Sequence, residues 1–180
     1  MSVYLRRAEI LSNYPSGRTS RIEIAKQALN FSIAHFTIFS KTDREDLHGH
    51  NYQVECHVTA TLGDDGLMFD YAILKAILRD MCDELDEQTV LPENSPHLSL
   101  TEENGYIVAL FNGERIPFLP RDVMTLPIAN ATVEEFSYYF LQKMIHHDDL
   151  QDKGITAYTV KISSSPGQYG VAEWQLGQDL

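Results

Sequence analysis

The chain contains little cysteine and no long apolar run. Cys56 and Cys82 are its only cysteines, and they are not arranged as a C-x-x-C pair. A disulfide framework is therefore not expected, and a cytoplasmic location is the natural interpretation. No run of 18 apolar residues, no signal-peptide pattern and no internal repeat occurs, so the sequence predicts neither a membrane span nor a secretory leader.

Positive charge is also scarce. The 180 residues include 14 Lys and Arg against 26 Asp and Glu, which gives a formal net charge of -12. An acidic surface repels phosphate backbones and anionic lipid headgroups, so we expect no nucleic-acid partner and no membrane partner. A chain of this length favours a single domain with a substantial core.

Alternating apolar residues predict two strands in the first third of the chain. The first covers residues 22–36 and places Leu29, Phe31, Ile33 and His35 on one face. The second covers residues 49–62 and ends in a G-D-D-G turn. The two strands are expected to pair as an antiparallel hairpin with a long, charged connection.

Two helices and two further strands are predicted downstream. Asp70 is a plausible N-cap for the first helix, and Thr132 with Glu135 forms a possible capping box for the second. The order β-β-α-insert-α-β-β predicts an α+β fold in which two helices cover one face of an antiparallel sheet. We divide the chain into an N-terminal arm (1–20) and one domain (21–180), with a long loop and small hairpin insert at 88–130.

The segment EDLHGHNYQVECHV contains two histidines on either side of Gly49 at the start of the second strand. Residues two apart in a strand share a face, so His48 and His50 project together. Imidazole nitrogens on such positions can converge on one ion. The pair therefore predicts half of a metal site.

Several segments of the chain carry a family resemblance. NFSIAHF, LHGHNYQVECHV, GLMFDYAILKAIL, DELDE and NATVEE follow one another in this order. The succession resembles the 6-pyruvoyl-tetrahydropterin synthase and 6-carboxytetrahydropterin synthase family, in which the pattern is F-S-A-A-H, L-H-G-H-N-Y, G-M-V-x-D-F-x-x-L-K, L-D-H and P-T-x-E. The late SSPGQYGVAEW is similar to the family's closing segment, which in some members reads E-S-P-G-Q. The resemblance covers roughly residues 22–175.

The resemblance implies a T-fold, or tunnelling fold. Such a subunit has an antiparallel sheet with two helices on one face, and the subunits close into a β-barrel homo-oligomer, usually a hexamer, with active sites at subunit interfaces. The family's zinc ligands map onto His35, His48 and His50. Three neutral imidazoles leave the fourth zinc position open, as in a catalytic site.

The position of the family's proton-abstracting cysteine holds Arg44 in this chain. Arginine stays protonated and cannot serve as a base. Members without the cysteine carry a glutamate in an F-R-E-x-L-H-G-H context, and they are associated with cleavage of the dihydroneopterin side chain. DREDLHGHNY resembles that context, which makes Glu45 the candidate general base. The alternative is that Glu45 belongs to a solvated charged loop.

Two more family positions have changed. The family's L-D-H, in which the aspartate orients a proton-shuttling histidine, is here Asp86 followed by Glu87. We expect both in the catalytic set, although Glu87 could instead be a helix-end residue facing water. The glutamate that anchors the pterin ring aligns with Ser164, while Thr132 and Glu134 match the T-x-E of the pterin loop. A serine cannot make the paired, charge-assisted contact of a carboxylate.

Three functions remain open from the sequence. The first is a zinc-dependent lyase that acts on the side chain of a dihydroneopterin-type substrate, with Glu45 as base. The second is a zinc enzyme of a specialised biosynthetic pathway whose substrate is a non-pterin metabolite, which accounts for Ser164 best. The third is a non-catalytic, zinc-containing homo-oligomer, because the family's cysteine, histidine and pterin-anchoring glutamate are all replaced.

Overall fold

The computed structural model describes residues 17–178. The main-sheet strands before the insert are β1 (Thr19–Ile24), β2 (Asn30–His35), β3 (His48–Thr61) and β4 (Gln88–Pro92). The insert region contains β5 (Ser99–Glu103), β6 (Tyr106–Phe111), β7 (Glu114–Phe118) and β8 (Val123–Leu126). The chain ends with β9 (Ile155–Ser165) and β10 (Gln168–Gln175), and its helices are α1 (Ala72–Leu85), α2 (Val133–Ile145) and α3 (Asp148–Gln151).

Seven strands form the main sheet: six follow the order β10-β9-β3-β2-β4-β8, and β1 pairs with β3 beside this path. The long strand β3 pairs antiparallel with β9 along one edge. Its other edge is shared, because β2 pairs with the first half of β3 and β1 with the second half. The α+β class is therefore confirmed, and β3 is the strand around which the sheet is built.

The predicted single strand over 22–36 is wrong, because these residues form β1 and β2. A turn separates the two strands, and in it the Leu29 N–H donates to the Lys26 carbonyl at 2.9 Å. The apolar alternation changes phase across this turn, from even-numbered Ile22 and Ile24 to odd-numbered Phe31 and Ile33. One continuous strand would have sent one of these sets to solvent. Strand β1 also begins at Thr19, inside the segment that we assigned to the arm.

The sheet is mixed rather than purely antiparallel, which corrects the sequence prediction. Strand β4 runs parallel to β2, and β8 runs parallel to β4. The region 88–130 is consequently not a loop, since its two ends extend the main sheet. Its middle forms a separate three-stranded sheet in the order β5-β6-β7.

The small hairpin predicted within this region is confirmed as β6 and β7. Asn112 and Gly113 connect them with φ angles of 46° and 80°, as a type I′ turn requires. The division into an arm of residues 1–20 and a domain of residues 21–180 stays a prediction, because 1–16 and 179–180 lie outside the described residues.

The main core lies between the sheet and the two long helices. Helix α1 buries the six residues that its spacing predicts, namely Leu74, Ile77, Leu78, Met81, Cys82 and Leu85. Helix α2 begins after Thr132, whose side chain accepts a hydrogen bond from the Glu135 N–H. Its Phe140 stacks on Phe31 of β2, with ring centroids 5.7 Å apart. This close packing fixes β2 and its neighbour β3 against helix α2.

A second, smaller apolar cluster lies against the three-stranded sheet. Its buried members are Phe36, Ile38, Leu91, Leu98, Ala109 and Phe111. Phe36 directly follows β2, so the cluster joins the insert to the end of the strand that carries His35. Among residues 17–178, no helix is both long and apolar enough to cross a membrane.

Candidate metal centre

Three histidines meet where β2 ends and β3 begins. His35 is the last residue of β2 and lies opposite His48, the first residue of β3. His50 is two residues further along β3, on the same face as His48. The ring centroid of His35 lies 4.8 Å from that of His48 and 5.5 Å from that of His50. The antiparallel register thus gathers all three predicted ligands.

The ring nitrogens are arranged to bind one ion. The possible ligand atoms of the three residues all lie within 4.8 Å of one another, and Nε2 of His48 is 3.0 Å from Nε2 of His50. Nδ1 of His35 donates to the Ala131 carbonyl at 2.9 Å, and Nδ1 of His48 donates to the Asp46 carbonyl at 2.8 Å. These bonds place the protons on Nδ1 and leave Nε2 free to bind a metal. In histidine metal sites the ring nitrogen that does not bind the metal usually donates to a carbonyl or carboxylate in this way.

Burial and charge favour the neutral, metal-binding form of His35. Its side chain is 4% exposed, and burial lowers the pKa of its imidazole, with the positive fields of His48 and His50 acting in the same direction. A tetrahedral zinc ion holds its nitrogen ligands about 2.0–2.1 Å from the metal. Three imidazole nitrogens within 4.8 Å of one another form a donor set of the kind that zinc accepts.

Glu45 lies beside this cluster rather than in open solvent. One of its carboxylate oxygens, Oε2, is 4.0 Å from Nε2 of His48 and accepts the Thr37 N–H at 2.9 Å. Burial acts to raise the pKa of the Glu45 carboxyl, but the hydrogen bond from Thr37 and the neighbouring imidazoles hold that pKa below its ordinary value. The carboxylate is therefore ionised and oriented by the backbone.

A cavity of about 330 Å³ opens over the three histidines. It brings together the predicted base and all three residues predicted to bind substrate. Its lining consists of His35, Thr37, Glu45, His48, His50, Tyr52, Ala131, Thr132, Val133, Glu134, Ser164, Ser165 and Gln168. The first residues of α2 and the end of β9 thus face the candidate metal centre across one cavity.

Asp86 and Glu87 are not among the residues that line this cavity. Oδ1 of Asp86 accepts the Ser32 N–H at 2.7 Å, and the Glu87 N–H donates to the Ser32 carbonyl at 2.7 Å. Glu87 also has a φ of 62°, and its side chain is exposed. Within one chain these two residues join α1 to β2, and a catalytic role for them stays a prediction.

Tyr52, Thr37 and Gln168 line the cavity but are not among the site residues that the sequence predicts. Tyr52 could have been found, because it lies two residues after His50 and shares its face. Its hydroxyl is 3.0 Å from Nε2 of His35, and burial raises the pKa of the phenol. Thr37 and Gln168 gave no such signal, since Thr37 lies in the loop between β2 and β3 and Gln168 begins β10 directly after the turn from β9.

Gly170 allows the start of α2 to pack closely against β10. A Cβ at this position would lie 2.2 Å from the Val133 carbonyl oxygen. We expect Gly170→Ala to destabilise the protein by about 1–3 kcal/mol, because the backbone must shift to accept the methyl group. A fall in Tm of about 2–4 °C per kcal/mol would report this in thermal unfolding. Val171→Ala, an exposed change on the same strand, is the control, and an equal Tm for both variants would contradict the close contact.

Comparisons with known proteins match this architecture. The family model described as 6-pyruvoyl tetrahydropterin synthase matches residues 23–174. A protein of Methanocaldococcus jannaschii, provisionally named 6-carboxy-5,6,7,8-tetrahydropterin synthase, is 30% identical over 144 residues, which cover 78% of this chain and 86% of that protein. A Pyrococcus horikoshii protein with the same provisional name is 25% identical over 148 residues, covering 81% and 87%.

Solved structures agree with the sequence relatives. The crystal structure of 6-pyruvoyl tetrahydropterin synthase from Plasmodium vivax superposes with a TM-score of 0.81 at 29% identity, covering 88% of this chain and 99% of that one. The Plasmodium falciparum enzyme gives 0.81 at 28% identity with the same coverage. The predicted T-fold is therefore confirmed, and the chain belongs to the 6-pyruvoyl tetrahydropterin synthase family.

Proposed function

We propose that this protein is a zinc-dependent lyase that acts on the side chain of a dihydroneopterin-type substrate, with Glu45 as the general base. One observation carries the proposal. The Glu45 carboxylate lies 4.0 Å from Nε2 of His48, in the same cavity as all three histidines. A base must lie within reach of the proton that it removes, and this carboxylate lies beside the metal centre.

His35, His48 and His50 would hold the zinc ion. When bound, zinc acts as a Lewis acid that polarises side-chain hydroxyls of the substrate and makes their protons easier to remove. The Ala131 carbonyl orients the imidazole of His35, and the Asp46 carbonyl orients that of His48. The open side of the three nitrogens faces the cavity, where a small molecule can approach.

The proposed reaction is cleavage between the first and second side-chain carbons, the activity associated with family members that carry the glutamate. The Glu45 carboxylate removes the proton from the hydroxyl of the second carbon, and that oxygen becomes a carbonyl as the carbon–carbon bond breaks. The electron pair of the broken bond passes into the C=N bond of the dihydropterin ring. Return of a proton to the first carbon gives a hydroxymethyl dihydropterin and a two-carbon aldehyde, so no oxidant or water is consumed.

The relatives support a glutamate in this role. Two solved variants of the P. vivax enzyme replace a glutamate, described there as the catalytic residue, with cysteine or alanine. Each superposes on this chain with a TM-score of 0.82 at 28% identity. A carboxylate base in a protein of such similar structure supports the assignment of Glu45.

Thr132, Glu134 and Ser164 are proposed to bind the substrate ring. Glu134 is an exposed carboxylate on the first turn of α2 and lines the cavity. It can accept from ring N–H groups, as the family's glutamate does in the position of Ser164. The serine itself favours a second candidate, a zinc enzyme for a non-pterin metabolite, because it removes the charged anchor.

We further propose that the enzyme is a cytoplasmic homo-oligomer, with a hexamer as the expected state. Strands β10 and β8 end the main sheet and each has only one partner strand among the described residues. Open edges of this kind are completed by pairing with another copy. A catalytic role for Asp86 and Glu87, which do not line this chain's cavity, would require the cavity of a neighbouring subunit. Both free cysteines are buried, as a reducing compartment allows.

Turnover of defined pterins tests the function. Zinc-loaded protein is incubated with 7,8-dihydroneopterin and with its triphosphate, and the products are identified by mass spectrometry. We expect a hydroxymethyl dihydropterin whose mass, added to that of the released aldehyde, equals the mass of the substrate. Protein stripped with a chelator is expected to be inactive and to recover when zinc is restored.

The remaining outcomes separate the alternatives. A zinc-dependent product with the carbon skeleton intact would contradict cleavage and indicate rearrangement of the side chain. No turnover of either pterin by protein carrying one zinc per chain would reject the pterin lyase and favour the non-pterin enzyme. Chelation that dissociates the assembly of an inert protein would favour the non-catalytic homo-oligomer.

A further inference from the structure

We infer that Arg44 is a positioning residue, through which the β6–β7 hairpin of the insert holds Glu45 at the metal centre. The inference rests on the proposed function, in which Glu45 is the base. It assigns a role both to the residue that replaces the family's cysteine and to the three-stranded sheet, neither of which the reaction itself requires.

Arg44 points away from the histidines and into the second apolar cluster. Its guanidinium carbon lies 4.9 Å from the ring centroid of Phe36 and 5.6 Å from that of Phe111. Nη2 pairs with Glu114 at 3.2 Å, and the Arg44 side chain is only 17% exposed. Phe111 ends β6 and Glu114 begins β7. The contacts of Arg44 with these two residues therefore come from the two ends of one hairpin turn.

The same guanidinium also holds the backbone of Glu45. Nη1 of Arg44 donates to the Glu45 carbonyl at 2.7 Å. On the other side of the loop, the Glu45 N–H donates to the Thr37 carbonyl at 2.9 Å. The Thr37 N–H in turn holds the Glu45 carboxylate. The base is thus fixed at its N–H, its carbonyl and its side chain, and only the carbonyl contact depends on the insert.

The chemistry of arginine suits this task. A planar guanidinium can stack on aromatic rings and donate in two directions at once, whereas a lysine ammonium is a point charge that does neither well. The loop between Thr37 and Glu45 closes through a single isolated bridge, from Ile38 to Arg44. The Asn130 side chain holds this loop at the N–H and the carbonyl of Ile38, and the Arg44 side chain adds the contact that ties the loop to the insert.

The kinetic test begins with two variants of Arg44 in the zinc-loaded protein. We expect Arg44→Ala to lower kcat on the accepted pterin by about 10- to 100-fold, because a displacement of about 1 Å at a reacting group can cost that much. KM is expected to change by less than about 3-fold and the zinc content to stay at one per chain, because Arg44 does not itself line the cavity and holds Glu45 only by its backbone carbonyl. Arg44→Lys is expected to restore only part of the loss.

Glu114→Gln keeps the arginine and removes its ionic partner on the insert. It is expected to lower kcat by a few-fold, and it keeps the inference testable if Arg44→Ala does not fold. Arg115→Gln is the matched control. It also removes a charge from this hairpin, but Arg115 pairs with Glu103 and not with Arg44 or Glu45. We expect this control to match the unaltered protein in kcat, KM and zinc content.

A double-mutant cycle separates this inference from the proposed function. If Arg44 acts through Glu45, Arg44→Ala is expected to have little further effect on kcat in a Glu45→Gln background. Equal losses from Arg44→Ala in both backgrounds, or a loss confined to KM or zinc content, would overturn the positioning role and leave the base assignment intact. If Glu45→Gln by itself retained full activity, the proposed function would fail instead.

Discussion

Replacement of Glu45 by glutamine is expected to lower kcat for side-chain cleavage by a factor of about 10² to 10⁴, the usual contribution of a positioned general base. Glutamine keeps the size of the side chain and can still accept the Thr37 N–H that holds it at 2.9 Å. It cannot take a proton at the reaction's pH. The change therefore removes the proposed chemistry with little change in shape.

Steady-state kinetics, combined with zinc analysis of the same samples, measures this effect. KM and zinc content are expected to stay near the values of the unaltered protein, since the three ligand imidazoles are untouched. Asp43→Asn is the matched control, because it makes the same carboxylate-to-amide change two residues away, on an exposed position outside the cavity lining. We expect that control to retain full activity.

Activity in Glu45→Gln within a few-fold of the unaltered protein would remove Glu45 as the base. The remaining carboxylate of the cavity is Glu134, and Glu134→Gln would then be the next variant to measure. Loss of zinc from Glu45→Gln would be a different failure, because it would show that the carboxylate supports the metal centre rather than the reaction.

The sequence predicted the centre of the site well because the relevant geometry is local. His48 and His50 share a face by strand periodicity alone. The pairing that brings His35 opposite His48 follows once β2 and β3 are neighbours, since burial of Phe31 and Ile33 fixes the register to within two residues. Resemblance to the family then selected His35 from the chain's other histidines.

What the sequence did not predict depends on contacts between distant segments. Strands β4 and β8 carry short apolar runs that are typical of parts of a proline-rich loop, and they become strands because β4 pairs with β2 and β8 pairs with β4. The phase change between Ile24 and Phe31 was visible in the sequence, but a continuous strand was the simpler interpretation. Arg44 read as part of a charged loop because Phe111 and Glu114, which enclose it, lie about seventy positions away.

Removal of one imidazole is expected to abolish specific zinc binding. Loss of an outer residue that only orients a ligand typically weakens metal affinity by about 10- to 100-fold, so loss of a direct ligand is expected to exceed that range. In His48→Ala we expect less than one-tenth of a zinc ion per chain after dialysis against a competing chelator, because a site with a roughly 100-fold higher Kd loses its zinc to the chelator. The unaltered protein is expected to keep one zinc.

Thermal unfolding gives an independent readout that needs no substrate. A ligand present at about 100 times its Kd stabilises the folded state by about 2.7 kcal/mol, which corresponds to a rise in Tm of about 5–11 °C for a chain of this size. We expect this shift on adding zinc to the stripped, unaltered protein and its absence in His48→Ala. His97→Ala, which removes an exposed histidine outside the cavity lining, is the control and is expected to keep the full shift. An equal zinc-dependent rise in all three proteins would show that zinc binds elsewhere, and the three-histidine site would lose its assignment.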